Sequence, residues 1–227
     1  PRNYPVWLTA LGAGAACGGF CKLFGGSWQD FFLTALCAAL GFFIRRLCTS
    51  YGFNIYAGIA ITSFMTTMLA WATQFLTGGL NWYPLIACTL FLVPGIPLIN
   101  AVDDLLNNFI VSGMTRAMHT LLVVGSMTFG IATAIRLGGV TDFTSVGLTP
   151  DTIYFSQAVA AAIASVGFSI IFNVPKRLLP VVAVGGIITV LIRNVAVMQF
   201  GASQAAGSFL GAAVVGLIAL KAIHWFH

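Results

Sequence analysis

The sequence predicts an all-α integral membrane protein of about eight transmembrane helices, and three observations predict it. Only 7% of the 227 residues are charged and 59% are hydrophobic, whereas a soluble domain carries about 25% charged residues. The apolar residues run in blocks of the length needed to cross a bilayer as helix, about 20 residues. Finally, 25 glycines and 19 phenylalanines with no glutamate match the composition of closely packed membrane helices. A soluble bundle would need polar helix faces that these segments lack. The net charge of +5 does not mark a nucleic-acid protein, because the cations are scattered between apolar runs and form no basic stripe.

The first span is expected over 6–24, with small residues Gly12, Gly14, Gly18 and Gly19 offering a close-packing face. Cys17 and Cys21 lie one helical turn apart without histidine or acidic partners, so all five cysteines read as small packing residues, and no metal or cofactor is expected. Gly25-Gly26-Ser27 supplies a turn, followed by spans over 31–47 and 55–76. After Gly78-Gly79-Leu80-Asn81 comes a fourth span, 83–101, broken at Pro94-Gly95-Ile96-Pro97. A fifth is expected over 117–137 and begins near His119, which could relay protons but for which a structural role is the plainer expectation. The stretch from Asp142 to Asp151 is the longest polar connection. Three more spans are expected over 153–172, 178–198 and 205–225, with Asn173-Val174-Pro175 as a corner and Gly207, Gly211 and Gly216 as a second small-residue face. His224 and His227 read as interface residues. The domains are therefore a first transmembrane repeat over 1–140, a connecting loop over 141–152 and a second, partial repeat over 153–227.

The repeat is argued from ordered matches. "GFCKLF" from Gly19 meets "GFSIIF" from Gly167 at an offset of 148, and Ile44-Arg45 falls on Ile192-Arg193 at the same offset. One residue of slip later, Tyr51-Gly52 meets Phe200-Gly201. Five spans in the first copy would force the second into the membrane upside down, the inverted-repeat plan of many secondary transporters. The second copy is incomplete, and the expectation is a truncated chain or a partner that supplies the rest. The chain opens on Pro1 without methionine, so processing or truncation is also expected there. Arg2, Arg45, Arg46, Arg116, Lys176, Arg177 and Lys221 fall on one side, against Lys22, Arg136 and Arg193 on the other. The positive-inside rule then places the N-terminus in the cytoplasm.

"LVPGIPLINAVDDLLNNFIVSGMTR" (92–116) resembles the hallmark of the bacterial threonine/serine exporter family. "AVAAAIASVGFSIIFNVPKRLL" (158–179) resembles the opening of the small subunit of the related two-component succinate exporter, here fused to the larger component. The resemblance implies proton-driven efflux of small hydroxylated amino acids or dicarboxylates across the bacterial inner membrane. The family's soluble region before the first span and a second Pro-Gly helix are absent from this sequence.

The residues themselves suggest roles. Pro94 and Pro97 lack N–H groups and clash with the preceding turn, so the fourth span cannot run unbroken. Gly95 is expected to supply unusual backbone angles at the break. The second half-helix would aim free N–H groups at the break, which makes Pro94, Gly95, Pro97 and Asn100 the candidate binding site for a carboxylated solute. Asn100, Asp104 and Asn107 are expected on one helix face with Asp103 beside them. Neighbouring carboxylates that repel one another would load and release a proton easily, so Asp103 and Asp104 are the candidate coupling pair; a solvated helix end is the plainer reading. Arg45 and Arg193, equivalent in the two repeats, would line the pathway or snorkel to the interface, with Asn107 and Asn173 as further pathway residues. Lys176-Arg177 reads as a topology anchor. The function expected is a secondary exporter embedded in lipid, handling a small carboxylated solute and protons, as a homo-oligomer or with a partner chain. A passive channel, an intramembrane enzyme and an inactive scaffold subunit are the alternatives.

Overall fold

The computed structural model describes residues 3–77, 82–139 and 154–223, and all regular structure among them is helical. The connecting loop expected over 141–152, the turn at 78–81 and both C-terminal histidines lie outside the described residues.

Helix α1 (Val6–Leu23) ends in a left-handed Gly25 (φ 112°), and the Gly26 N–H returns to the Cys21 carbonyl at 3.0 Å. This is the glycine-closed helix end that satisfies orphan carbonyls. Helix α2 (Trp28–Ser50) starts from a capping box: the Ser27 N–H donates to Asp30 Oδ2 at 2.8 Å and the Asp30 N–H donates to Ser27 Oγ at 3.1 Å. Two orphan donors are thereby satisfied. Helix α3 covers Ile55–Thr77. The fourth span is a short helix α4 (Trp82–Ala87), a 3-10 turn (Leu90–Leu92) and helix α5 (Gly95–Leu106). Its two halves bend by 58°. Helix α6 (Ile110–Leu137) begins seven residues earlier than the expected 117, because α5 and α6 close into a hairpin whose first turns need not be apolar. Helices α7 (Tyr154–Ile171), α8 (Leu179–Phe200) and α9 (Gln204–Ile223) follow. Seven of these helices are long and apolar enough to cross a membrane, eight if the bent pair is one span.

The core is built from small side chains, and the large ones face outward. Ala13, Ala16, Cys17, Cys21 and Ala38 are fully buried, while Phe32, Phe129 and Phe209 are each more than 65% exposed. That inversion of the soluble pattern suits a lipid-facing surface, because small residues let helices approach and large ones meet acyl chains.

Helices α1 and α7 pack antiparallel along such a seam. A Cβ on Gly19 would strike the Ala160 carbonyl and Ala164, and one on Gly167 would strike the Gly12 carbonyl and the Ala16 N–H. Phe20 and Phe168 meet edge to face, their centroids 5.6 Å apart. At the end of the seam the Asn3 N–H donates to Asn173 Oδ1 (2.8 Å), Asn3 Nδ2 donates to the Asn173 carbonyl (3.0 Å), and the Tyr4 hydroxyl donates to the Val174 carbonyl (2.7 Å). Helices α3 and α6 run parallel, with His119 Nδ1 3.0 Å from the Tyr56 hydroxyl at one end and Gly138 against Trp71 at the other.

Candidate functional site

The broken span is shaped by Pro94. Val93 is extended (φ −62°, ψ 124°), as the residue before a proline prefers. Pro94 itself (φ −82°, ψ 60°) forms a tight turn in which the Gly95 N–H donates back to the Val93 carbonyl at 2.9 Å. The break therefore falls at Val93–Pro94, and both Gly95 and Pro97 lie inside the first turn of α5. Gly95 is not left-handed, contrary to the expected role: the positive-φ glycines among the described residues are Gly25, Gly52, Gly139 and Gly201. A Cβ at Gly95 would meet nothing within 4 Å, so this position is open space rather than a strained corner. The supply of free donors is also thinner than expected. Gly95 is committed, Pro97 has no N–H, and the Leu98 N–H donates to the Pro94 carbonyl at 3.1 Å, which leaves Ile96 as the remaining donor of that turn.

The carboxylates do not form a repelling pair. Asp104 turns toward α6, where Arg116 Nη1 lies 3.2 Å from Oδ2 and the Ser112 hydroxyl donates to the same oxygen at 2.6 Å. Asp103 points away, and Asn107 Nδ2 donates to its carbonyl (2.9 Å) and its Oδ1 (3.2 Å). The face that carries polar residues is thus Asn100, Asp103 and Asn107, not Asn100, Asp104 and Asn107. The reason is the hairpin: Asn108 (φ 64°) closes α5 in a left-handed turn, and α6 comes back against Ala101, Asp104 and Leu105. Asn100, Asp103 and Asn107 are exposed. Arg116 is the partner that sequence reasoning missed, although it sits one short hairpin away from Asp104.

Beside the break lies a second feature the sequence reading passed over, a buried layer of hydroxyls and thiols. Thr34, Thr62, Ser63, Thr66 and Thr67 are fully buried, and Thr89 nearly so. Thr62 and Thr66 donate to backbone carbonyls one turn back, at 2.6 and 2.7 Å, whereas the Thr34 and Thr67 hydroxyls face the thiols of Cys21 and Cys88 and have no oxygen or nitrogen partner among the described residues. Cys17 lies against the backbone of Leu90 and Phe91, and Cys88 reaches the Thr66 carbonyl at 3.7 Å. A Cβ on Gly41 would collide with Thr66 and press on the Phe91 ring. Gly41 and Thr66 are central in α2 and α3, so the turn around Phe91 stands at mid-depth of the bundle. The spacing Thr62-Ser63…Thr66-Thr67 was the available signal.

The remaining candidates separate to opposite ends. Arg45 donates to Thr49 Oγ1 at 3.3 Å and, with Arg46, Thr9, Tyr4 and Asn173, lines a cavity of about 510 Å³. Asn173 (φ 60°) is a clamp between α7 and Asn3 as well as a wall of that cavity. Arg193 lies at the far end of α8 beside two buried amides, Gln157 and Asn194.

Comparison with known proteins bears on this geometry. A family model described as "Putative threonine/serine exporter" matches residues 1–138, and one described as "Threonine/Serine exporter, ThrE" matches residues 157–226. The chain is 31% identical over 141 residues to the "Probable succinate transporter subunit YjjP" of Escherichia coli, covering 61% of this chain and 55% of that protein. It is 32% identical over 142 residues to the protein of the same description in Klebsiella aerogenes, with the same coverage. The chain thus spans about half the length of these curated relatives. No solved structure matches it.

Proposed function

The chain belongs to the threonine/serine exporter family, and on that premise we propose that it forms the membrane machinery of a proton-coupled exporter of small carboxylated solutes, threonine and serine or dicarboxylates such as succinate. The observation that carries this reading is the mid-depth break at Pro94 standing against the hydroxyl layer of α2, α3 and Thr89. Irregular backbone at that depth is tolerated where it is packed in protein or borders a wet cavity, and hydroxyls that face only weakly bonding thiols are ready donors for a hydroxylated or carboxylated solute. In this reading Pro94, Gly95, Pro97 and Asn100 border the solute, with the open space at Gly95 as the approach. Asp103 is the carboxylate free to take up a proton, while Asp104 is held by Arg116 and acts as a latch of the α5–α6 hairpin. The units 1–140 and 153–227 are copies inserted in opposite senses, and the N-terminus faces the cytoplasm of a bacterial inner membrane. The antiparallel α1–α7 seam and the left-handed residues Gly52 and Gly201, 149 positions apart, support that plan.

Flux of labelled serine, threonine and succinate in proteoliposomes under an imposed pH gradient tests it. Efflux of at least one should follow the gradient, and Asp103→Asn/Asp104→Asn should remove that dependence. Full gradient-driven efflux in the double variant would sink the coupling assignment.

A second reading has its own support: the chain works only beside a partner. The Asn100–Asp103–Asn107 face of α5 is uncovered, and a polar helix face is costly against lipid. Both relatives are described as subunits. Flux that appears only on adding a second membrane chain would favour it.

A further inference from the structure

Between α7 and α8, Gln157 and Asn194 are almost completely shut off from solvent, at 0% and 1% exposure. Gln157 Oε1 accepts from Asn194 Nδ2 and, at 3.4 Å, from Arg193 Nη2. Arg193 Nε and Nη2 both reach Asn194 Oδ1, at 3.4 Å. Two donors on the oxygen fix which way the Gln157 amide points, and its Nε2 is left buried with no acceptor among the described residues. The guanidinium's partners here are two neutral amide oxygens. An orphaned buried donor is costly, and a charged group among membrane helices normally finds a counter-charge or marks a pathway. Both deficits are of one kind among the described residues, since the Gln157 amide nitrogen lacks an acceptor and the cation lacks an anionic one.

The same positions recur 148 residues earlier as Thr9, Arg45 and Arg46, which line the 510 Å³ cavity at the opposite end of the α1–α7 seam. An arginine flanked by hydrogen-bonding side chains therefore stands at each end.

We propose that Gln157 and Arg193 form a binding site for the carboxylate group of the transported solute, with Asn194 as the positioning residue that fixes the Gln157 amide. The inference rests on the exporter reading for the identity of the solute. A carboxylate offers about four lone-pair sites, enough to accept from the guanidinium fork and from Gln157 Nε2 together. The phosphate of an anionic lipid shares this oxyanion chemistry, so the experiment must separate the two sources.

The full chain in phosphatidylcholine nanodiscs is tested for binding of labelled succinate and labelled threonine. Saturable binding of at least one is expected. Gln157→Leu should weaken it about tenfold, the worth of one hydrogen bond to a charged group. Gln157→Glu is the sharper variant, because its carboxylate pairs with Arg193 and keeps the fold while excluding the ligand. Its melting temperature should be retained and its binding weakened about a hundredfold. Arg136→Gln, at the end of α6, should bind as the native chain does. The proposal is overturned if folded Gln157→Glu binds within about twofold of native, or if the native chain binds neither solute. It is equally overturned if nanodiscs containing phosphatidylglycerol abolish solute binding, which would assign the site to lipid. Binding that follows these variants without any flux in proteoliposomes would uphold the site and count against the exporter reading alone.

Discussion

Single residues in this chain act chiefly through how close they let backbones come. A Cβ at Gly167 would sit 2.5 Å from the Ala16 N–H and 2.6 Å from the Gly12 carbonyl, both of them backbone atoms that cannot swing away. Gly167→Ala should therefore destabilise by about 1–3 kcal/mol, the usual range for overpacking, and lower the thermal unfolding midpoint in detergent. Gly216 has nothing within 4 Å of its missing Cβ, and alanine is the better helix former by about 1 kcal/mol. Gly216→Ala should hold or raise the same midpoint. The sequence announced Gly216 as a packing residue and Gly167 only as part of a repeat match, because spacing reports a shared face and not which face meets a neighbour. The pairing of Asp104 with Arg116 was hidden for a related reason: helical spacing relates residues within α5, while the hairpin that brings Arg116 back is set by a left-handed Asn108. Asp104 is 17% exposed and Arg116 49% exposed, so this solvent-touched pair contributes at most about 1 kcal/mol.

At the scale of elements, the two prolines of the broken span have different duties. Pro94 holds Val93 extended and sets the bend, so replacing it removes a helix-breaking cost of about 3 kcal/mol and favours a straighter span. Pro97 occupies the third residue of α5, where the N–H would have no partner in any case. Pro94→Ala should lengthen the distance between spin labels placed at Tyr83 and Asn107, measured by double electron–electron resonance, and reduce efflux. Pro97→Ala should leave that distance unchanged. The existence of the break was legible from two prolines in an apolar run. Its placement one residue earlier was not, because the extended residue is the one before the proline. The hydroxyl layer stayed unread since threonine and serine within a membrane span usually bond their own helix, as Thr62 and Thr66 do. Only the packed neighbours reveal that Thr34 and Thr67 are left over.

For the whole molecule, the number of spans was legible because crossing a bilayer sets a length and an apolar composition. Their lateral order was not. In lipid a helix needs no polar face, so periodicity carries no sign that α3 and α6 lie parallel or that α1 adjoins α7. The sides taken by the chain ends can be checked directly. The five cysteines are buried and unbridged, so maleimide labelling of the native fold should be nearly silent. Ser50→Cys and Ser203→Cys, both at exposed positions, should then label from opposite faces of the membrane, Ser50→Cys from the cytoplasm. The α1–α7 seam also bears on how the molecule can be assembled. The α7–α9 unit meets the rest mainly along this one antiparallel line of small residues, fastened at one end by Asn3, Tyr4 and Asn173. Such a line needs two matching surfaces in one bilayer and no peptide bond between them. The chain cut within 140–153 and expressed as two polypeptides should therefore reassemble and copurify, while Gly167→Ala in one half should keep the halves apart.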